Sequence, residues 1–259
     1  MQRRQTDRRL YFDELAATSE KYFMPYISAF AQPRKGMEIL EIGCGEGGNL
    51  LPFAKAGCSV TGVDLAEKKI ADAIRFFKEE KADGRFIASD IFKITEFENT
   101  FDLIICHDVI EHISDKETFM ANLKRYLKPS GTVFMAFPAW QMPFGGHQQI
   151  CRNRILSHFP FIHLLPARLY RLLLESAGED RACIEELLEI KQTRTPVELF
   201  EKLLSGHCTE VLDRRLWLIN PHYEVKFGLK PRILPAFMGK IPWLRNFFTT
   251  SCFYVFRFL

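Results

Sequence analysis

Apolar and polar positions between residues 37 and 137 follow a regular order of short apolar runs and longer amphipathic segments. A short apolar run bounded by glycine or an acid is typical of a buried strand, and an apolar period near 3.6 residues is typical of a helix. Strands that alternate with helices predict a parallel sheet covered on both faces. The predicted strands are 37–42, 58–63, 85–89, 101–106 and 131–137, and the predicted helices are 47–56, 66–80 and 115–127.

The rest of the chain does not continue this regular alternation of strands and helices. After the fifth strand comes a loop rich in glycine and proline, Met142 to Gln149, and two segments of helical character follow it. A capping-box pattern, Thr195 with Glu198, then predicts the start of a new helix. We expect a sixth strand at 208–219 and a seventh at 251–258. The predicted organisation is an N-terminal helical lid at 1–36, a cofactor-binding core at 37–139, a helical insertion on the acceptor side at 140–194 and a segment completing the sheet at 195–259.

Four glycines follow the first strand, at positions 43, 45, 47 and 48. Glycine lets the backbone approach a ligand closely at the N-terminus of the next helix, and three of the four fit the dinucleotide spacing G-x-G-x-x-G. Glu41, just before the turn, favours a ligand that carries an amine. Asp64, at the tip of the second strand, can accept hydrogen bonds from ribose hydroxyls. The turn therefore predicts an adenosine-containing cofactor and leaves its class open.

Three downstream segments narrow that class. Gly84 to Phe92 is a strand that ends in an acid, Phe101 to Ile113 is a strand that opens into a polar turn, and Leu127 to Phe137 is a helix end, turn and strand. In order and spacing the series resembles the class I S-adenosylmethionine-dependent methyltransferases, especially the branch related to quinone biosynthesis, over residues 37–138. The resemblance implies a Rossmann-like α/β fold of seven strands in the order 3-2-1-4-5-7-6, with an antiparallel last strand and helices on both faces.

The same resemblance implies a set of cofactor-binding residues. Asp64 would hold the ribose and Asp90 the adenine amino group, whereas Glu41 would order the turn or face the methionine amine. The implied S-adenosylmethionine contacts are Glu41, Gly43, Cys44, Gly45, Gly48, Asp64, Leu65, Asp90, Ile91 and His107.

The acceptor side is less well defined by sequence. Methyl transfer is an in-line displacement, so the acceptor nucleophile has to be held about 3 to 3.5 Å from the methyl carbon. An oxygen of high pKa also needs a base. His147, in the loop after the fifth strand, is the candidate base or acceptor contact, whereas Glu111 and His112 are expected to cap the following helix. We therefore expect a small-molecule acceptor with an oxygen nucleophile.

Two other functions fit part of the pattern. The glycine spacing also permits an NAD-dependent oxidoreductase. A non-catalytic protein that binds S-adenosylmethionine and acts as a scaffold would keep the cofactor residues without turnover. Binding of S-adenosylhomocysteine and of NAD, measured by calorimetry, distinguishes the oxidoreductase from a methyltransferase. Methyl transfer tested across a panel of acceptors distinguishes the scaffold from an enzyme.

Composition sets the remaining expectations for this chain of 259 residues. A net charge of +3 without a basic stripe disfavours a nucleic-acid partner. Basic clusters near both ends of the sequence, Arg3 and Arg4 among them, leave peripheral membrane contact as an alternative. The 24 phenylalanines favour an apolar or aromatic acceptor. Seven cysteines without metal-like spacing predict reduced thiols and no metal site. With no signal peptide or long apolar span evident, we expect a cytoplasmic monomer or homodimer.

Overall fold

An eight-stranded sheet forms the centre of the computed structural model, which describes residues 7–259. Arg3, Arg4 and the first residues of the predicted lid lie outside the described residues. The strand order across the sheet is β3-β2-β1-β4-β5-β8-β6-β7. The strands are β1 (Glu38–Ile42), β2 (Ser59–Asp64), β3 (Arg85–Ala88), β4 (Phe101–His107), β5 (Leu127–Phe137), β6 (Thr209–Ile219), β7 (Arg232–Ile233) and β8 (Ser251–Phe258).

The topology confirms the predicted fold class, with one additional strand. Strands β1 to β5 pair in parallel, and β8 lies antiparallel between β5 and β6. The predicted seventh strand is thus β8. The sequence predicts only seven strands, because β7 lies in a segment that has the pattern of an irregular connection. Pro231 and Pro235 flank this two-residue strand, and proline, which lacks a backbone N–H, confines such pairing to a short strand at the edge of a sheet.

Helices cover both faces of the sheet. Alternate residues of β1 point to opposite sides, so Leu40 packs in one apolar cluster with Phe119 and Phe200, and Ile39 packs in another with Phe12 and Phe76. The helices are α1 (Arg8–Thr18), α2 (Met24–Ser28), α3 (Leu51–Lys55), α4 (Glu67–Glu79), α5 (Lys116–Tyr126), α6 (Arg154–His158), α7 (Ala167–Ser176), α8 (Arg181–Thr193), α9 (Val197–Gly206), α10 (His222–Phe227), α11 (Ala236–Gly239) and α12 (Leu244–Phe248).

Three helices follow β5 within the segment that the sequence predicts as an insertion on the acceptor side. Helices α6, α7 and α8 enclose a small apolar core of their own, which includes Cys151, Tyr170, Leu174 and Leu187. The segment therefore packs as a helical body at the carboxyl end of β5.

None of the helices in residues 7–259 is both long and apolar enough to span a bilayer.

Candidate functional site

Two adjoining cavities lie at the carboxyl ends of the parallel strands. The first, of about 380 Å³, lies over the ends of β1 to β4, and we call it the strand-end cavity. The second, of about 510 Å³, lies between the strand ends and the insertion, and we call it the insertion cavity. Lys69, Asp108 and His112 line both. A ligand in one cavity can therefore reach a ligand in the other.

The strand-end cavity brings together two of the predicted acids. Asp64 and Asp90 both line it, together with Leu65, Ile91 and Gly43. Asp64 lies at the end of β2, and Asp90 caps a short 3₁₀ helix, Ile91–Lys93, in which its Oδ1 accepts a hydrogen bond from the N–H of Phe92 at 3.0 Å. Leu65 is 76% exposed, so its apolar side chain is open to a ligand.

Asp64 also organises the glycine turn. Its Oδ2 accepts a hydrogen bond from Gly45 N–H at 2.9 Å, and its Oδ1 accepts one from Ala66 N–H at 2.8 Å. A carboxylate oxygen has two lone pairs, so each keeps capacity for one more donor. Gly45 has φ +53°, and a Cβ placed there would meet no atom within 4 Å. The turn is thus open beside a carboxylate with remaining acceptor capacity.

Gly48 allows the close packing of α1. A Cβ at this position would lie 2.5 Å from the backbone oxygen of Phe12 and 2.8 Å from Cβ of Leu15, both on α1. Gly48 does not line the strand-end cavity. The structure therefore gives this glycine a role in the close approach of α1.

Three other predicted contacts lie behind the cavity surface. Glu41 and Cys44 are buried, and neither lines either cavity. Asn49 Nδ2 donates to Glu41 Oε1 at 2.7 Å and lies 3.3 Å from His107 Nδ1. Burial raises the pKa of Glu41 to about 8, which favours a neutral carboxyl group at pH 7. His107 does not line either cavity, but its Nε2 lies 3.4 Å from Oδ2 of Asp108, which lines both.

The insertion cavity is assembled from several distant parts of the chain. Tyr11 comes from α1, Asp108 and His112 follow β4, His147 lies in the insertion, and Tyr223 lies on α10. Its lining combines aromatic and apolar groups with charges. The further lining residues are Arg8, Lys69, Pro138, Met142, Phe144, Gln149, Ile150, Glu186, Asn220, His222, Lys226 and Thr250.

His147 is held in place by tight packing of the preceding loop. A Cβ on Gly146 would lie 2.1 Å from Cβ of His163, whose Nε2 is 2.9 Å from the carbonyl oxygen of Trp140. His147 itself has φ +57°, a left-handed conformation, and its ring meets that of His112 edge to face with centroids 5.0 Å apart. Burial lowers the pKa of His147 to about 4, so the imidazole is neutral at pH 7.

The surroundings of Glu111 differ from what the sequence predicts. With His112 it belongs to a 3₁₀ turn, Ile110–His112, and Asp115 caps α5 by accepting a hydrogen bond from Thr118 N–H at 3.0 Å. The expected capping role of the pair is therefore wrong. Glu111 is 3% exposed, and neither carboxylate oxygen has a hydrogen-bond partner among the described residues. Burial, reinforced by the nearby charge of Asp108, raises the pKa of Glu111 well above its usual range.

Comparisons with known proteins agree with this geometry. Residues 40–135 match a family model described as a methyltransferase domain. A ubiquinone biosynthesis O-methyltransferase of Rhizobium etli is 35% identical over 106 residues, which are 41% of this chain and 43% of that protein. Its counterpart in Rickettsia akari is 33% identical over 100 residues, 39% of each chain. The chain thus spans less than half the length of these curated relatives.

Solved structures show the same fold over a longer stretch. A putative sarcosine dimethylglycine methyltransferase from Galdieria sulphuraria has a TM-score of 0.60 at 15% identity and covers 92% of this chain and 84% of its own. Magnesium protoporphyrin IX methyltransferase from Synechocystis PCC 6803, solved with bound SAH, has a TM-score of 0.54 at 14% identity, covering 93% of this chain and 82% of its own. The resemblance expected from the motifs is confirmed: residues 40–135 match a methyltransferase domain, and the chain shares its fold with solved methyltransferases.

Proposed function

We propose that this protein transfers a methyl group from S-adenosylmethionine to an oxygen nucleophile of a small-molecule acceptor. The observation that carries the proposal is the pair of adjoining cavities, one with Asp64 and Asp90, the other with His147, joined at Asp108 and His112. A two-substrate transfer needs two neighbouring sites that share one wall. When bound, S-adenosylmethionine supplies an activated methyl group on a sulfonium.

The strand-end cavity fits the cofactor. Its volume of about 380 Å³ lies within the range of about 300 to 1,000 Å³ typical of small-molecule sites. Asp64 has acceptor capacity for ribose hydroxyls, Asp90 for the adenine amino group, and Leu65 and Ile91 give an apolar surface for the base. The open backbone at Gly45 is suited to the methionine part.

The insertion cavity fits the acceptor. Tyr11, Phe144 and Tyr223 provide aromatic surface, which supports an apolar or aromatic acceptor. We assign the neutral imidazole of His147 to the acceptor hydroxyl, either as the group that takes its proton or as a contact that orients it. The oligomeric state, monomer or homodimer, stays a prediction.

The curated relatives suggest a class of acceptor. They are named for O-methylation in ubiquinone biosynthesis, which supports a ring-bearing acceptor with a hydroxyl group. Peripheral membrane contact and a cytoplasmic location stay predictions. Large apolar side chains are exposed in the segment between α10 and β8, with Phe237 at 71% and Trp243 at 57%, and these would face the lipid.

Two measurements test the proposal. Calorimetry should show binding of S-adenosylhomocysteine and no comparable binding of NAD. Incubation with isotopically labelled S-adenosylmethionine and a panel of hydroxylated aromatic compounds should transfer label to at least one oxygen. NAD binding without S-adenosylhomocysteine binding would overturn the assignment of the cofactor. Cofactor binding without methyl transfer to any acceptor would favour the non-catalytic alternative.

A further inference from the structure

A second pair of adjoining cavities lies apart from the candidate active site. The larger, of about 720 Å³, lies between α7 and α8. The smaller, of about 370 Å³, lies between the segment that leaves β5 and the end of α8. Gln192 and Arg194 line both cavities, so the two form one groove, which we call the outer groove. None of its lining residues lines the strand-end cavity or the insertion cavity.

Four cationic side chains converge on the larger part of the outer groove. They are Arg168, Arg171, Lys191 and Arg194. None of the four forms an ion pair among residues 7–259, and no acidic side chain lines this part of the groove. Like charges that meet in one cavity without an acid create a strong positive potential there. The larger part of the groove is therefore suited to an anion with more than one negative charge.

The ends of the helices account for two of these charges but not for the other two. Lys191 and Arg194 lie at the C-terminal end of α8, where the helix dipole favours a cation. Arg168 is the second residue of α7, at the end where the dipole disfavours a cation, and no acid lies in that first turn. Arg171 follows three positions later, where like charges repel. A bound anion would offset this unfavourable placement.

Lys191 carries one of the charges into a half-buried position. Its Nζ donates to the carbonyl oxygen of His163 at 2.7 Å and lies 5.6 Å from the centre of the Trp140 ring. Burial and the nearby charge of Arg194 lower the pKa of Lys191. Solvent screens a partly buried charge less than an open one, so an anion beside Lys191 would be attracted more strongly than at an open surface.

The smaller part of the outer groove is aromatic. Trp140 and Trp243 line it, together with Leu199 and Gln141. Trp243 is 57% exposed, so its ring is open to a ligand. The side-chain oxygen of Gln141 is buried and has no hydrogen-bond partner among the described residues. A flat ring can stack on the indole, and a hydroxyl or amino group of the same ligand can donate to Gln141.

The backbone of Trp243 is held in a conformation that is unfavourable for a bulky residue. Its φ is +63°, in the left-handed region that large side chains rarely adopt. Its N–H donates to Glu198 Oε1 at 2.8 Å, and its carbonyl oxygen accepts a hydrogen bond from Asn246 Nδ2 at 3.2 Å. Strained residues that neighbours hold in this way are common at ligand-binding sites. The indole is thus presented in a fixed place at the end of the groove.

We propose that the outer groove binds a nucleoside phosphate, with its phosphates between α7 and α8 and its base at Trp243. Arginine suits phosphate because the guanidinium can donate two parallel hydrogen bonds to phosphate oxygens. Both cavity volumes lie within the range of about 300 to 1,000 Å³ typical of small-molecule sites. An inorganic phosphate would occupy only the cationic part, whereas a nucleoside phosphate occupies both. This binding does not depend on the proposed methyl transfer.

Calorimetry with ADP, pyrophosphate and adenosine tests the two parts of the groove separately. Saturating S-adenosylhomocysteine is present in each titration, to keep ADP out of the strand-end cavity. We expect a single ADP per chain, bound more tightly than pyrophosphate or adenosine. The double variant Arg168→Gln, Arg171→Gln should weaken the binding of ADP and of pyrophosphate about tenfold or more. Trp243→Ala should weaken ADP binding about fivefold or more and leave pyrophosphate binding unchanged.

Arg181→Gln is the matched control. Arg181 also lies on α8, but it pairs with Glu185 at 2.7 Å and lies outside the groove. This variant should bind ADP as the unmodified chain does, and circular dichroism shows whether each variant folds. Absence of ADP binding to the unmodified chain would overturn the proposal. So would ADP binding that the double arginine variant leaves unchanged, or a loss of the same size in Arg181→Gln.

Further measurements separate the nucleoside phosphate from other anions. If the chain binds vesicles of phosphatidylglycerol but neither ADP nor pyrophosphate, the groove faces a lipid surface and the nucleotide assignment is wrong. Pyrophosphate binding as tight as ADP binding would contradict the base site at Trp243. If ADP binds as expected but S-adenosylhomocysteine does not bind, the outer groove stands and the proposed function fails.

Discussion

Replacing Asp64 with asparagine tests the cofactor site at its most connected residue. Asparagine keeps the shape of the side chain but exchanges one acceptor oxygen for an amide donor. That amide would face the N–H group of either Gly45 or Ala66, which now donate to Asp64 at 2.9 and 2.8 Å. The same exchange removes the charge that strengthens a hydrogen bond from a ribose hydroxyl. Both the turn and the binding of the ribose should therefore weaken.

The size of the effect follows from the hydrogen bonds that the substitution removes. A hydrogen bond to a charged group contributes about 1.5 to 3 kcal/mol. Because each 1.4 kcal/mol corresponds to a factor of about ten, Asp64→Asn should weaken S-adenosylhomocysteine binding by roughly 10- to 150-fold. The loss of one hydrogen bond in the turn should lower the free energy of unfolding by about 1 to 2 kcal/mol.

Isothermal titration calorimetry with S-adenosylhomocysteine measures the first effect, and urea unfolding measures the second. Asp83→Asn is a matched control, because Asp83 is an exposed aspartate just before β3, at the opposite end of the sheet. We expect the control to bind like the unmodified chain. If Asp64→Asn folds normally and also binds with unchanged affinity, Asp64 does not hold the ribose.

Three further results are expected. His147→Ala should lower methyl transfer at least tenfold while S-adenosylhomocysteine affinity stays unchanged; equal losses in both would argue against an acceptor-side role. Gly48→Ala should destabilise the fold by about 1 to 3 kcal/mol in urea unfolding, because its Cβ would lie 2.5 Å from the backbone oxygen of Phe12, whereas Gly206→Ala, with nothing within 4 Å, should not. With the pKa of Glu41 raised to about 8 in the folded chain, stability should fall as pH rises from about 4.5 to 8, by at most about 1.4 kcal/mol per pH unit. Glu41→Gln should flatten that decline, and an unchanged slope would show that Glu41 titrates normally.

The parts that sequence could predict are those encoded locally. Asp64 ends β2 and Asp90 follows the end of β3 by two residues. Because the carboxyl ends of parallel strands meet at one edge of the sheet, their meeting in one cavity follows from the order of elements. The position of the last strand came from the family resemblance. The short strand β7 was not predictable, because two residues between prolines carry no period.

The acceptor side could not be read in the same way. Glu111 and His147 are far apart in sequence, and only the pairing of β4 with β5 brings them together. Glu111 also lies shortly before the predicted helix 115–127, and an acid is favourable near a helix N-terminus, so the local pattern suggests a cap. A similar error concerns Thr195 and Glu198. Thr195 donates to Ile110, and Glu198 binds Arg245 and Asn246, so neither completes a capping box.

Strand β8 has a consequence for how the chain folds. It is the last strand in sequence, yet it lies in the interior of the sheet, between β5 and β6. Until residues 251–258 have been synthesised, one side of β5 presents unpaired backbone groups next to the apolar residues Val133 to Phe137. An exposed apolar edge of this kind favours association with other chains. The time between synthesis of β5 and of β8 is therefore the period in which a nascent chain is most prone to aggregate.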